Sequence, residues 1–284
     1  MKEAVQIGGQ SVAPGTMKRL EIPVARLPTH TMLHLPVTVV NGAQDGARLW
    51  LSAALHGDEL NGMEIIREVL EQIDPSTMSG LLLAVPIVNV FGFATQSRYL
   101  PDRRDLNRCF PGTSRGSLAS RLAWLFMNEV VAHCSHGIDL HTAAPPRTNL
   151  PQIRADLTDE ETLRCARAFG APIMMRGKPP SGALRGAAAK RGAAVLLYEA
   201  GEPLRFNPDA IAIGVRGVLS VMHELGMIPA ISFERPPATP EAGRSSWIRA
   251  TQSGVLRLSV ELGDSVEARQ RIGSITDPFG ESSR

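Results

Sequence analysis

The chain has 284 residues, 43% hydrophobic and 20% charged; this fits a globular protein with a sizeable core and excludes collagen, coiled coil and wholesale disorder. Thirty Lys and Arg against 28 Asp and Glu leave a net charge of +2, too weak a field to draw the chain to nucleic acid or to an anionic membrane. The first residues lack an apolar signal core, and no stretch approaches the ~18 consecutive apolar residues of a membrane span, so a soluble cytoplasmic protein is expected. Cys109, Cys134 and Cys165, odd in number and never spaced C-x-x-C, supply neither a disulfide framework nor a four-thiolate zinc site. Any metal must be held by other side chains.

In chain order, the first ~40 residues read as a β-rich extension. Residues 47–55 alternate apolar side chains on two faces and then meet His56-Gly57, where the strand is expected to end. From Asp58 to Ile73, Met63, Ile66, Leu70 and Ile73 recur at helical spacing until Asp74-Pro75 stops them. Residues 81–90 form a second apolar run. Leu118, Leu122, Leu125, Phe126 and Val130 mark an amphipathic helix, and residues 137–140 form a short strand ending at His141. Thr158 with Glu161 fits a capping box for a helix closing near Gly170. Residues 195–198 predict a strand running into Glu199, and Asn207, Pro208 and Gly226 bracket a long helix.

Alternation of strands and helices argues for an α/β domain over residues 1–232. Residues 233–246 collect Pro, Gly and Ser and read as a linker. Residues 247–284 carry only short alternating segments. They resemble half of a biotinyl- or lipoyl-type β barrel, but Lys190 is the last lysine, so none can carry a prosthetic group there.

His56, His141 and Glu199 all fall where an apolar strand gives out, and ligands of open α/β sheets bind beyond the carboxyl ends of strands. His56 and Glu59, three residues apart at a turn entering a helix, can face one cation. Alone, such a pair is most often an ordinary surface or capping pair. His141 adds a third donor, giving the two-His, one-carboxylate pattern of catalytic zinc with one position left for water. Asp139, two residues earlier on the same strand face, can orient a ligating imidazole. His133, His136 and His223 have no ligand-like partners in the sequence and read as structural, and Cys109 as a buried thiol.

HGDE (residues 56–59), RYLPDRRDLNRCFPG (98–112), DLHTA (139–143) and YEAGE (198–202), in this order, resemble the succinylglutamate desuccinylase and aspartoacylase family of zinc hydrolases, relatives of the zinc carboxypeptidases. The resemblance spans roughly residues 45–230. It implies a three-layer α/β/α domain with a mixed sheet, a small C-terminal all-β domain, and one zinc per chain held by His56, Glu59 and His141. It also implies Glu199 as general base, with Glu202 the nearby competitor, and Arg98 at the oxyanion. The stretch before Asp105 is longer than in some members, so Arg103 or Arg104 can compete for that role. Asn107 and Arg108 match the pair that grips the substrate carboxylate, a task suited to a guanidinium fork. Without the zinc motif, four arginines interleaved with Asp102 and Asp105 would read as a solvated, self-paired loop.

The implied activity is removal of an acyl group from an N-acyl amino acid, with that small molecule as the partner. Two rivals remain: a zinc carboxypeptidase acting on peptides, which C-terminally blocked peptides would discriminate, and a non-catalytic module binding a small carboxylate, which would bind without turnover. Neither the acyl group nor the oligomeric state is written in the motifs; a homodimer is the common state of such enzymes.

Overall fold

The computed structural model describes residues 2–27, 29–229, 239–243 and 245–280. Its elements begin with β1 (Val5–Ile7), β2 (Gln10–Val12), β3 (Thr16–Arg26), β4 (Met32–Asn41), β5 (Gln44–Ala53), α1 (Asn61–Glu71), β6 (Ser79–Val85), α2 (Val90–Ala94) and α3 (Leu118–Glu129). They continue with β7 (His136–His141), β8 (Asn149–Ala155), α4 (Glu160–Phe169), β9 (Ile173–Arg176), α5 (Leu184–Ala189), β10 (Ala194–Gly201), α6 (Pro208–Glu224) and β11 (Glu241–Ala242). Among the described residues these strands, β1 and β2 apart, form one nine-stranded mixed sheet in the order β11-β9-β8-β10-β7-β5-β6-β4-β3. Its centre, β10-β7-β5-β6, is parallel, with antiparallel pairs at β10-β8, β6-β4 and β4-β3.

Two-residue periodicity divides the sheet between two cores. Leu49, Leu51, Ile138, Leu140, Leu196 and Tyr198 face one side, where α1, α4 and α6 bury Ile65, Phe169 and Val218. Trp50, Leu83 and Val195 face the other, covered by α3, α5 and the β1-β2 hairpin. The result is three layers, α/β/α. On the second side, apolar side chains give way to Ser52, Asp139, His141 and Glu199 toward the strands' carboxyl ends; register sets Ser52 against Asp139 and His141 against Glu199.

Several boundaries differ from the sequence reading. Helix α1 starts at Asn61, three residues after Asp58, because His56 to Leu60 make the turn that faces the site. The 81–90 run is two elements: β6 ends at Val85, and Asn89 caps α2 by accepting from the Gly92 N–H at 2.8 Å. The cap of α4 is Asp159 and not Thr158. Asp159 Oδ2 accepts from the Thr162 N–H and hydroxyl at 2.8 and 2.7 Å, whereas the Thr158 hydroxyl is turned back to Asp156 and Glu161 is paired with Arg164 and His136. Residues 233–238 and 244 of the expected linker lie outside the described residues; Glu241 and Ala242, inside it, pair with β9 because their backbone groups complete that edge.

The chain divides into two compact units, residues 1–242 and 243–284. The second holds an antiparallel pair, β12 (Val255–Leu258) and β13 (Gly273–Thr276), in register Val255 to Thr276. No described helix is long and apolar enough to cross a membrane.

Trp50 is fully buried, and its ring lies flat over Gly137, where a Cβ would come within 2.0 Å of ring carbon Cζ2. A ring locked between the sheet and α3 cannot swing away, so overpacking here forces the strands apart. Gly137→Ala is expected to cost about 2 kcal/mol or more of stability, read as a lowered denaturation midpoint; an unchanged midpoint would show that the Trp50 ring has room to move.

Candidate metal centre

The strand β5 ends at Ala53 and the chain turns through Ala54, whose φ of 46° is left-handed, a conformation a non-glycine residue holds only under surrounding constraint. Its carbonyl accepts from Asn89 N at 2.9 Å, while the Ala53 carbonyl accepts from Val88 N at 3.0 Å. Gly57 then touches α2 so closely that a Cβ would lie 1.9 Å from the Gly92 carbonyl carbon, and the Gly57 N–H donates to Ser97 O at 3.0 Å. This contact joins the His56 turn to the segment that presents Arg98.

His56, Glu59 and His141 are all buried. Glu59 divides its carboxylate between the two imidazoles, with Oε1 2.6 Å from His56 Nδ1 and Oε2 2.7 Å from His141 Nδ1; Oε2 also accepts from the Thr142 N–H at 3.1 Å. The far nitrogens meet carboxylates as well: His56 Nε2 is 3.2 Å from Asp105 Oδ1, and His141 Nε2 is 2.8 Å from Asp139 Oδ2. Asp139 is itself held by the Ser52 hydroxyl at 2.7 Å. One ligand atom from each of His56, Glu59 and His141 lies within 4.8 Å of the others.

Electrostatics follow from this packing. Burial opposes ionisation of Glu59, but the two imidazoles outweigh it and hold the carboxyl down to about 2. Burial alone would discharge His56 and His141; for His56 the Glu59 charge, and for His141 the Asp139 and Glu59 charges, push the other way and raise them. Two Nδ1 atoms and a carboxylate converging in a dry site, with outer carboxylates on both Nε2 atoms, form a donor set that fits a zinc ion.

Arg98 crosses the edge of this cluster. Its Nε and Nη2 donate to Asp105 Oδ2 at 3.1 and 2.8 Å, leaving Nη1 3.3 Å from His56 Nδ1 and 3.5 Å from Glu59 Oε1. Arg103 and Arg104 are exposed. Asp105, which sequence reading treated only as a loop charge, thus holds both Arg98 and His56, and its Oδ1 caps the turn by accepting from Asn107 N at 2.8 Å. Burial would raise the Asp105 carboxyl, yet His56 and Arg98 take it well below the usual range. The signal was the first letter of the D-L-N-R motif.

Asn107 is buried and its Oδ1 accepts from Leu184 N at 2.9 Å, tying this motif to the start of α5. Arg108 is exposed and donates to its neighbour's carbonyl, Asn107 O, at 2.7 Å. Glu199 lies beside His141 in the sheet register, accepts from Asn149 Nδ2 at 2.6 Å, and is raised by burial. Glu202 faces elsewhere, toward Arg205 at 3.3 Å and the Thr148 hydroxyl at 3.3 Å. Asn61 clamps the end of the Glu199 strand to α6: it donates to Ala200 O at 3.1 Å and accepts from Asn207 N at 2.9 Å. Sequence reading missed this residue, a polar side chain with only apolar helix spacing around it.

Asp105→Asn removes the charge that orients His56 and Arg98 together. Zinc affinity, measured by competition with a chelating indicator, is expected to fall about 10-fold to 100-fold; full affinity would mean that His56 needs no outer carboxylate.

Residues 45–225 match the succinylglutamate desuccinylase/aspartoacylase catalytic domain. The chain is 27% identical over 260 residues to the N-alpha-acetyl-L-2,4-diaminobutyric acid deacetylase of Halomonas elongata, covering 86% of this chain and 74% of that protein. A crystal structure of a succinylglutamate desuccinylase/aspartoacylase from Rhodobacter sphaeroides superposes with a TM-score of 0.81 at 25% identity, over 93% of this chain and 84% of the other. A metallo-carboxypeptidase from Burkholderia cenocepacia shares the fold at a TM-score of 0.58 and 12% identity, over 73% of this chain and 65% of the other. With a catalytic-domain match across most of its length and a mixed-sheet fold shared with metallo-carboxypeptidases, the chain belongs to the succinylglutamate desuccinylase/aspartoacylase family.

Proposed function

We propose that this protein is a zinc-dependent amidohydrolase that removes an acyl group from an N-acyl amino acid. The observation that carries the reading is the convergence of His56 Nδ1, Glu59 and His141 Nδ1 in one buried cluster, with Glu199 in register on the next strand. Membership in a deacylase family, and a relative named for deacetylating an N-acetylated diamino acid, support the same reaction class.

His56, Glu59 and His141 would hold one zinc, which when bound supplies a Lewis acid that activates water and polarises the amide carbonyl. Glu199 takes the proton from the attacking water and returns it to the leaving amine. Burial suits it to both tasks, because a carboxyl raised toward the working pH accepts and releases a proton with less mismatch. Arg98 is the residue for the oxyanion: Asp105 holds two of its nitrogens and leaves Nη1 at the cluster's edge, whereas Arg103 and Arg104 are exposed and have no such orienting carboxylate among the described residues. Asn107 and Arg108 grip the substrate carboxylate. The Asn107 side-chain oxygen, Oδ1, already accepts from Leu184 N, so its NH2 group does the binding beside the Arg108 fork.

Elemental analysis of the wild type is expected to give about one zinc per chain, lost in His141→Ala together with hydrolysis of N-acyl amino acids. A wild type that stays metal-free and inactive after zinc addition would overturn the reading. Glu199→Gln is expected to keep its zinc and bind substrate near-normally while kcat drops about 10²-fold to 10⁴-fold; an unchanged kcat would remove Glu199 from the proton-transfer role.

A further inference from the structure

The connection between β7 and β8 reaches the site at both of its ends. His141, a proposed zinc ligand, closes β7, and Asn149 opens β8. Between them the Ala143 N–H donates to Gly201 O at 3.1 Å, which fastens the connection across the end of β10. Antiparallel register pairs Leu197 with Arg154, Tyr198 with Ile153 and Glu199 with Gln152; continued without a break, it would set Leu150 opposite Gly201. Gly201 faces Asn149 instead, so Leu150 and Pro151 together oppose the single residue Ala200, which is a bulge in β8. A one-residue slip of this kind turns the residues beyond it to the other face of the sheet. Under regular alternation Asn149 would share the side of Ile153, in the core beneath α1, α4 and α6; the bulge carries it to the side of Glu199. Pro151 suits the bulge, since it has no N–H to leave unpaired there.

The residue directly across from Asn149 is a glycine in a left-handed conformation, Gly201 with φ of 73°, and it puts no side chain in the way. The Asn149 amide therefore reaches diagonally across the ladder, where Nδ2 donates to Glu199 Oε2 at 2.6 Å. The backbone around Glu199 is fixed already: Asn61 donates to Ala200 O at 3.1 Å, and Ala143 holds Gly201 O. What remains free is the set of side-chain torsions, and each rotamer would aim the carboxylate differently. Asn149 removes that freedom through one oxygen. The other, Oε1, accepts no hydrogen bond among the described residues; Arg154 Nη1 stands 3.8 Å from it, too far for one. The carboxylate is thus divided into a held oxygen and an open one. Because an amide is neutral, it orients a base at a smaller cost in proton affinity than an ion pair would.

We propose that Asn149 is the positioning residue of Glu199: its amide N–H fixes Oε2, so that Oε1 carries the proton in both transfers. An O–H bond of the attacking water breaks as the Oε1–H bond forms; that proton then passes to the leaving nitrogen, and Glu199 returns to a carboxylate. The proposal rests on the general-base role of Glu199 set out above, and it gives each oxygen of that residue a separate task.

The test measures kcat and KM on a panel of N-acetyl- and N-succinyl-L-amino acids for zinc-loaded wild type, Asn149→Leu, Asn149→His, Glu199→Gln and the double variant of Asn149→Leu with Glu199→Gln. Asn149→Leu keeps the branched shape and removes the donor. Its kcat is expected to fall about 10-fold to 100-fold, with KM within about twofold of wild type and zinc content unchanged. Asn149→His, which brings back a side-chain N–H, should recover part of the loss. In the Glu199→Gln background Asn149→Leu should cost nothing further, since a residue that acts through the base has no effect once the base is gone. The same fold loss in that background, or full kcat in Asn149→Leu while Glu199→Gln is impaired, would overturn the proposal and leave the general base standing. Full kcat in Glu199→Gln would overturn both. Crystal structures of wild type and Asn149→Leu read the positioning without turnover: Glu199 is expected in one rotamer in the first and in more than one in the second. A single unchanged rotamer in both would overturn the proposal. If the wild type hydrolyses none of the panel while Glu199 still loses its single rotamer in Asn149→Leu, the positioning stands and the deacylase reading falls.

Discussion

A carboxylate removed from water must be matched by cations or hydrogen bonds, and Glu59 meets that requirement by dividing its two oxygens between imidazoles from different parts of the chain. The matching then propagates outward. Each imidazole has a second nitrogen to satisfy, and each finds another carboxylate, so that Asp105, His56, Glu59, His141 and Asp139 form one alternating chain of acids and bases. Arg98 bridges it at one end, and Ser52 closes it at the other. Removing any member strands its neighbours in a dry site, which is why these contacts behave as a unit rather than as separate pairs.

The backbone serves that arrangement at the places where it departs from regular structure. Ala54 takes a left-handed turn directly after β5, and Gly57 comes into backbone contact with α2. Together they aim His56 across the sheet's carboxyl edge and fasten it to the segment bearing Arg98. Asn61 does the same for the opposite wall, joining the first turn of α1 to the ends of the Glu199 strand and of α6. Beyond Glu199, Arg154 carries the polar face onward on the next strand, its Nη1 3.8 Å from Glu199 Oε1.

Much of this was legible in the residue order. The approach of strands to His56, His141 and Glu199 shows as apolar runs giving out, although β5 stops at Ala53 and β10 runs on to Gly201, and the long α6 helix is bracketed by Asn207, Pro208 and Gly226, because local periodicity and capping chemistry act over a few residues. Other features were not. Thr158 and Asp159 are equally good caps by type, and only the bond each side chain actually makes separates them. Asp105 reads as one more charge in an Arg-rich loop until the fold lays it between Arg98 and His56.

By itself the sequence determined the alternation of strand and helix, the four motifs, and the residue types able to hold a metal, because these depend on spacing along the chain. Tertiary structure decided which partners meet: that both Nδ1 atoms turn to Glu59, and that Asp105 holds Arg98 and His56 together. Partnership across the fold depends on strand order and on which face each residue takes, and neither is encoded in any local stretch of the chain.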